Sequence, residues 1–387
     1  MSTLELPEEQ SSSTHGYYSY SGLKAIYYGP GSMKSSLPKL LDTLKVTKAL
    51  VVTGKSLHEK TDVVRAVEAI LKQHDAYGAT FFEIGQHAPI EGIRNALKAF
   101  RDNQCNAIVS VGGGSPIDAS KAILYMHQKE TGGPTLPQIA IPTTLSAAEY
   151  TEQAAGGLTD GGHKVAVISP ELAPAGIILD AELTLPTPDR LWLSTGIRAL
   201  DHAVENLYKP LVPEPLKRIC YAALADLLKY LPISKAKPED VIVRQKLQIA
   251  AWMSLWPAKQ EKYSALGLSH ALGHKLGARY GIPHGITSCL TLAPVVALKA
   301  EVASQEDKEY LAEALYYLRE SPTGSLEGDV RRLATLIDKL VEDLGLKSTL
   351  GEYKVPQSDV LDIATRALGS ADHPDVDKVV KLLENLY

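Results

Sequence analysis

Arg198 and His202 stand four residues apart in STGIRALDHAVENLY, residues 194–208. On a helix that spacing puts a guanidinium and an imidazole on one face, where two exposed cations would repel weakly and gain nothing from proximity. Three further histidines follow in SHALGHKLGARYGIPHG. His270 and His274 share one helical face, and His284 follows Pro283 in a glycine-flanked turn that leads into another helix. Two imidazoles on one face and one from a neighbouring turn can converge on a single ion; each histidine taken alone reads better as an ordinary hydrogen-bonded one, but together they favour a site.

A second kind of chemistry is written in AIVSVGGGSPIDASK, residues 107–121. Gly112, Gly113, Gly114 and Ser115 close a buried strand ahead of a helix expected to open with Pro116. Glycines let the backbone approach a diphosphate, and a helix start offers it free N–H groups and a positive dipole end. A plain strand-to-helix turn is the simpler alternative. The spacing is neither the GxGxxG dinucleotide fingerprint nor a P-loop. In IPTTLSAAEYT, residues 141–151, Thr143, Thr144 and Ser146 offer hydroxyls to a ribose or phosphate, or else form a sheet-edge turn.

These residues need a framework, and the chain supplies two kinds of segment. From Lys48 onward short apolar runs alternate with amphipathic ones: KALVVTG, VVRAVEAILKQ, TFFEIG, IRNALKAFRD, NAIVSVGGGS and ASKAILYMHQ. QIAIPTT, KVAVIS and AGIILD read as further strands. Such alternation predicts βαβ units and a parallel sheet. After Pro186 and Pro188 the segments from WLSTGIRALDHAVENLY to KVVKLLENLY carry helical periodicity almost without interruption. The fold class expected is therefore α/β plus all-α, with a parallel-sheet domain over residues 1–186, residues 1–16 of it a disordered tail, and a helical domain over residues 187–387. A pocket is expected at the cleft between them.

The 387 residues suit two domains. A net charge of −5 argues against a nucleic acid or an acidic membrane as partner and leaves small molecules. No uninterrupted apolar run has the length of a membrane span. Cys105, Cys220 and Cys289 are too few and too scattered for a disulfide framework, which fits a soluble protein of the cytoplasm.

Taken in order, GGGSPIDASKAI, IPTT followed by EYT, GIRALDHAVE and HALGHKLGARYGIPHG resemble the motifs of the iron-containing alcohol dehydrogenase superfamily, from about Ala25 to the C-terminus. The short second loop, IPTTLSAAEYT, is similar to that of the maleylacetate reductase branch. The resemblance implies an N-terminal dinucleotide-binding domain, a helical substrate domain, NADPH or NADH as cofactor and a homodimer. It also implies that Gly112 to Ser115 hold the pyrophosphate, with Asp118 in the same motif, that Thr143, Thr144 and Lys164 lie toward the nicotinamide, and that His274 stands near it.

In metal-dependent members the residue four before the first histidine is an aspartate that ligates iron or zinc, and maleylacetate reductases, which need no metal, have asparagine. Here it is Arg198, which has no lone pair to give. The expectation is a metal-free pocket with a fixed cation near the ion's place, serving an NAD(P)H-dependent reductase of an electron-poor, anionic carbonyl or enone. Arg198 could instead turn to its helix neighbours Asp201 or Glu205 and leave the site vacant. Other readings are an alcohol or polyol dehydrogenase with its metal on His202, His270 and His284, and a non-redox protein on the same fold. Two departures from the reductase branch, Pro116 with Asp118 and the Ser-Ala-Ala of residues 146–148, leave the substrate open.

Gly54, at the end of KALVVTG, takes the place where NAD-preferring members carry an aspartate that repels a 2′-phosphate. NADPH should therefore bind at least as tightly as NADH in parallel fluorescence titrations, and a strong preference for NADH would contradict this placement of Gly54.

Overall fold

The computed structural model describes residues 16–18, 23–85, 88–160, 163–210, 212–256 and 266–387; the side chains of 16–18, 155–160 and 163–166 lie outside that description. The chain divides into two compact units, Met1–Thr187 with Glu239–Gln248, and Pro188–Pro238 with Ile249–Tyr387.

The first unit is built on β1 (Gly16–Tyr18), β2 (Ala25–Tyr28), α1 (Met33–Thr43), β3 (Ala49–Val52), α2 (Lys55–Lys60), α3 (Val63–Gln73), β4 (Tyr77–Phe81), α4 (Ile90–Asp102), β5 (Ala107–Gly112), α5 (Gly114–Thr131), β6 (Gln138–Pro142), β7 (Gln153–Asp160), β8 (His163–Ile168) and β9 (Gly176–Leu179). Seven strands form one sheet in the order β1-β2-β9-β6-β5-β3-β4. Only the β1–β2 pair is antiparallel, so the expected parallel sheet has six strands and an antiparallel edge.

Side-chain alternation along the strands feeds two cores. Val51, Val109, Val111, Ile139 and Ile141 pack with Leu37 and Leu40 of α1 and Val64 and Val67 of α3. Leu50, Val52 and Ile108 pack with Ile93, Leu97 and Phe100 of α4 and Ala119, Ala122 and Ile123 of α5. Central strands buried on both faces explain the unbroken apolar runs in the sequence.

Several sequence expectations shift. The predicted strand TFFEIG begins too late: β4 is Tyr77–Phe81, and the chain beyond it keeps only an isolated bridge between Gly54 and Glu83. KVAVIS forms β8, which pairs antiparallel with β7 in a separate two-stranded sheet. The tail expected over residues 1–16 lies outside the described residues except for Gly16, which opens β1.

The second unit contains α6 (Asp189–Leu207), α7 (Glu214–Ala236), the end of α8 (Val241–Ser254), α9 (Leu268–Tyr280), α10 (His284–Val302), α11 (Gln305–Leu318), α12 (Leu326–Asp343), α13 (Val360–Leu368) and α14 (Val376–Glu384). No strand occurs among its described residues. Residues 187–387 do not all belong to it, because Glu239–Gln248 joins the first unit. The reason is polar: buried Arg244 donates to the Thr184 carbonyl at 2.9 Å, Gln245 accepts from the Gly29 N–H at 3.1 Å, and Gln248 donates to the Pro142 carbonyl at 3.4 Å. Helical periodicity reports apolar faces and is blind to such partners.

Within the helical unit α10 packs against α6, α9 and α12. By mean hydropathy and length α10 could cross a bilayer, but Thr287, Ser288, Thr291 and Lys299 interrupt its apolar run, as expected from the sequence, and 67% of that window is buried, as in a core helix. The α6–α10 crossing is close enough to demand a glycine. A Cβ on Gly285 would lie 2.6 Å from the Ser194 carbonyl carbon, a backbone atom that cannot swing aside. Gly285→Ala should cost about 1–3 kcal/mol through overpacking, seen as a lower urea midpoint; an unchanged midpoint would contradict this crossing.

Candidate active site

In the first unit two loops meet at the carboxyl ends of adjacent strands. The Thr143 N–H donates to the Gly112 carbonyl at 2.9 Å, drawing the end of β6 onto the end of β5. Gly112 has φ +136°, and a Cβ there would fall 2.9 Å from Pro116 Cγ. Built on Gly113, a Cβ would sit 3.2 Å from the Thr144 side chain, and on Gly114 3.4 Å from Ser146 Oγ. The glycines therefore let the loop lie close under Thr144 and Ser146, whose hydroxyls are 3.2 Å apart. Helix α5 starts at Gly114 with Gly113 as its N-cap, two residues ahead of the expected Pro116, which puts Gly114 and Ser115 in the first turn, where backbone N–H groups lack helical partners.

Strand β3 lies between β4 and β5, so the connections leaving β3 and β5 run in opposite directions across the sheet. Ligands of open α/β sheets bind outside the carboxyl ends of strands at such a reversal. Gly54, the N-cap of α2, follows β3 there, and Leu57 of α2 would be 3.7 Å from a Cβ on Gly112. Gly54 and Gly112–Ser115 thus share one corner of the sheet. The Lys164 side chain lies outside the described residues; its backbone pairs with Thr159.

Asp118 is tied to a residue that the sequence reading did not single out. Lys121, fully buried, donates to Asp118 Oδ1 at 2.9 Å, to the Ala148 carbonyl at 2.7 Å, to Thr151 Oγ1 at 2.8 Å and to the Gln153 carbonyl at 3.2 Å. It fastens α5 to the segment after the second loop; the sequence signal was its i, i+3 spacing from Asp118. Burial pushes Asp118 up to about 6, with Lys121 working in the opposite sense. Burial likewise pushes the Glu149 carboxyl, in EYT, up to about 7.

In the helical unit every residue of α6 from Trp192 to Leu207 is buried. Arg198 is 8% exposed, too little for a solvated surface charge. Its Nη1 donates to Ser288 Oγ on α10 at 3.2 Å and stands 3.8 Å from Asp201 Oδ2. The guanidinium does lean toward Asp201, one of the two outcomes foreseen from the sequence, yet it does so inside the unit.

His270 Nδ1 lies 2.8 Å from Glu205 Oε2 and 3.3 Å from Asp201 Oδ1. The His202 and His270 rings are 4.8 Å apart between centroids, and those of His274 and His284 are 5.7 Å apart and edge-on. His274 is the exposed member of the four, while His284 opens α10 after Pro283. Burial, the neighbouring His270 and Arg198 hold His202 well below the usual imidazole range. For His270, burial and Arg198 oppose the charged form, but the Asp201 and Glu205 carboxylates outweigh them and its pKa is raised.

Asp201, Glu205 and His270 bring ligating atoms within 4.8 Å of one another. Three of their four carboxylate oxygens are nevertheless engaged in hydrogen bonds. Glu205 Oε1 accepts from the Ser269 N–H at 2.7 Å and from Tyr208 Oη at 3.1 Å, and Asp201 Oδ2 accepts from Ser269 Oγ at 3.0 Å and Ser288 Oγ at 2.6 Å. Asp201 and Glu205 had appeared in the sequence only as partners for Arg198, and Ser288 had no signal beyond lying one turn after His284.

The family pattern described as "Iron-containing alcohol dehydrogenase" matches residues 24–181, and "Fe-containing alcohol dehydrogenase family, C-terminal" matches residues 192–387. The chain belongs to the iron-containing alcohol dehydrogenase family, is similar to maleylacetate reductases within it, and is an NAD(P)-dependent oxidoreductase. Maleylacetate reductase 1 of Cupriavidus pinatubonensis is 28% identical over 350 residues, 87% of this chain and 92% of that protein. The NAD-dependent methanol dehydrogenase of Bacillus methanolicus is 27% identical over 88% of this chain and 90% of its own. The crystal structure of maleylacetate reductase from Rhizobium sp. strain MTP-10005 superposes with a TM-score of 0.78 at 26% identity, covering 97% of this chain and 99% of the other.

Glu149 carries a consequence for stability. Its carboxyl ionises at 4.5 in its ordinary state and at about 7 in the fold, so the folded protein holds a proton that the unfolded chain releases between those values. The resulting stabilisation is complete below the lower value and is lost as pH rises through the higher one. Glu149→Gln should therefore exceed the wild type in unfolding free energy by about 1–3 kcal/mol near pH 8 and show no such advantage near pH 4.5. A pH-independent difference in chemical denaturation would refute this.

Proposed function

We propose that the chain uses NADPH or NADH to reduce an electron-poor, anionic carbonyl or enone, and does so without a metal ion. The observation that carries this reading is the buried guanidinium of Arg198, one helical turn before His202, where metal-dependent relatives place a carboxylate. His202, His270 and His284 lack that ligand, and His202 and His270 have a permanent cation near them instead, so this set does not fit a divalent ion.

Gly112, Gly113, Gly114 and Ser115, with Asp118 in the same motif, would hold the cofactor's pyrophosphate. Thr143, Thr144, Ser146 and Lys164 would serve its nicotinamide end, and Gly54 would leave room for a 2′-phosphate. The glycine loop fits such a group, since a Cβ on Gly113 would lie 3.2 Å from Thr144 and close that corner. When bound, the reduced nicotinamide supplies the hydride.

Hydride addition leaves negative charge on the substrate, and a preorganised cation in a desolvated place lowers the energy of that charge. Arg198 supplies the fixed positive charge, with His202 and His270 beside it. His274, the exposed member of the histidine group, delivers the proton. Maleylacetate, the compound for which several relatives are named, is an anionic oxo acid and the first substrate to assay.

Arg198→Ala should lower kcat/KM by about 10²–10³, and Arg198→Lys should also be costly because an ammonium lacks the planar fork that grips a carboxylate. Arg198→Asp should abolish the native activity and create affinity for a divalent metal, measured by elemental analysis after loading with zinc. Near-native turnover in both the alanine and aspartate variants, or a stoichiometric metal in the wild-type protein, would overturn the proposal.

A further inference from the structure

We propose that Ser288 and Asp201 form a clamp that positions the Arg198 guanidinium, and that selection of an anionic ligand depends on this clamp; this rests on the role of Arg198 given above. An arginine side chain carries about 2 kcal/mol of rotamer entropy, so a guanidinium that is to meet a substrate charge in one place must be held there.

The hydrogen bonds run in one direction. Arg198 Nη1 donates to Ser288 Oγ at 3.2 Å, and Ser288 Oγ spends its own proton on Asp201 Oδ2 at 2.6 Å. The direct separation from Arg198 Nη1 to Asp201 Oδ2 is 3.8 Å, too long for a hydrogen bond, so the hydroxyl is the intermediary. Ser269 Oγ holds the same carboxylate oxygen at 3.0 Å, and the other oxygen lies 3.3 Å from His270 Nδ1. Asp201 is thereby held through Oδ2 by two hydroxyls, with His270 beside Oδ1, and it does not form a bidentate pair with Arg198. Space for the arrangement comes from Gly273, where a Cβ would stand 3.5 Å from Arg198 Nη1 and 2.8 Å from Thr287 Oγ1.

Two substitutions break the clamp without changing any charge: Ser288→Ala removes the intermediary hydroxyl, and Asp201→Glu shifts the carboxylate by one methylene. The measurement is calorimetric titration of the NADPH-loaded protein with succinate and with succinamide, its uncharged counterpart, in wild-type and Arg198→Ala backgrounds. Thermal unfolding checks that each variant folds, and either one suffices. We expect the wild type to favour succinate, each clamp variant to bind succinate about tenfold more weakly with succinamide unchanged, and neither variant to have an effect once Arg198 is alanine. Equal losses for both ligands, an effect that persists in the Arg198→Ala background, or succinate affinity unchanged in the clamp variants would overturn the clamp while leaving Arg198 its role. A wild type that does not favour succinate, or an Arg198→Ala protein that favours it equally, would overturn the role of Arg198 itself and with it the clamp.

Discussion

From Trp192 to its end helix α6 is buried all round, and still it carries Arg198, Asp201, His202 and Glu205. Burying an ionisable group without a partner costs several kcal/mol, so a helix of this kind is tolerable only if its neighbours answer each charge. The surrounding structure follows from that requirement. Ser269 and Ser288 present hydroxyls to Asp201, the Ser269 N–H and Tyr208 to Glu205, and His270 turns Nδ1 to both carboxylates. Arg198 brings positive charge to a place that also holds two carboxylates; the carboxylates favour the charged form of His270, while burial, His270 and Arg198 disfavour that of His202.

Close approach is the second requirement. Partners on α9 and α10 reach α6 because residues without a Cβ stand at the crossings. Gly285 lies against the Ser194 backbone and Gly273 against Thr287 and Arg198. The first unit applies the same device to another purpose, since Gly112 to Gly114 let the end of β5 pass beneath Thr144 and Ser146. Lys121 then ties α5 to the segment that follows, with four acceptors around one amine.

The order of motifs along the chain determined the family, the parallel sheet and the helical second half, because these rest on local periodicity and on residues whose chemistry does not depend on their surroundings. Arg198 is such a residue: its inability to ligate a metal is a property of the guanidinium, and it was legible before any fold was known. Glycines at the ends of apolar runs were legible for the same reason.

Tertiary structure decided who answers whom. Nothing in the spacing of GIRALDHAVE says that Asp201 and Glu205 face His270, some 65 residues on, or that a serine on α10 stands between Arg198 and Asp201. Nor could periodicity reveal that Glu239–Gln248 joins the first unit, or that KVAVIS pairs outside the main sheet. Local pattern specifies which face of an element is apolar. The partners of its buried polar groups come from distant segments, and only the packed chain brings their donors and acceptors within hydrogen-bonding reach.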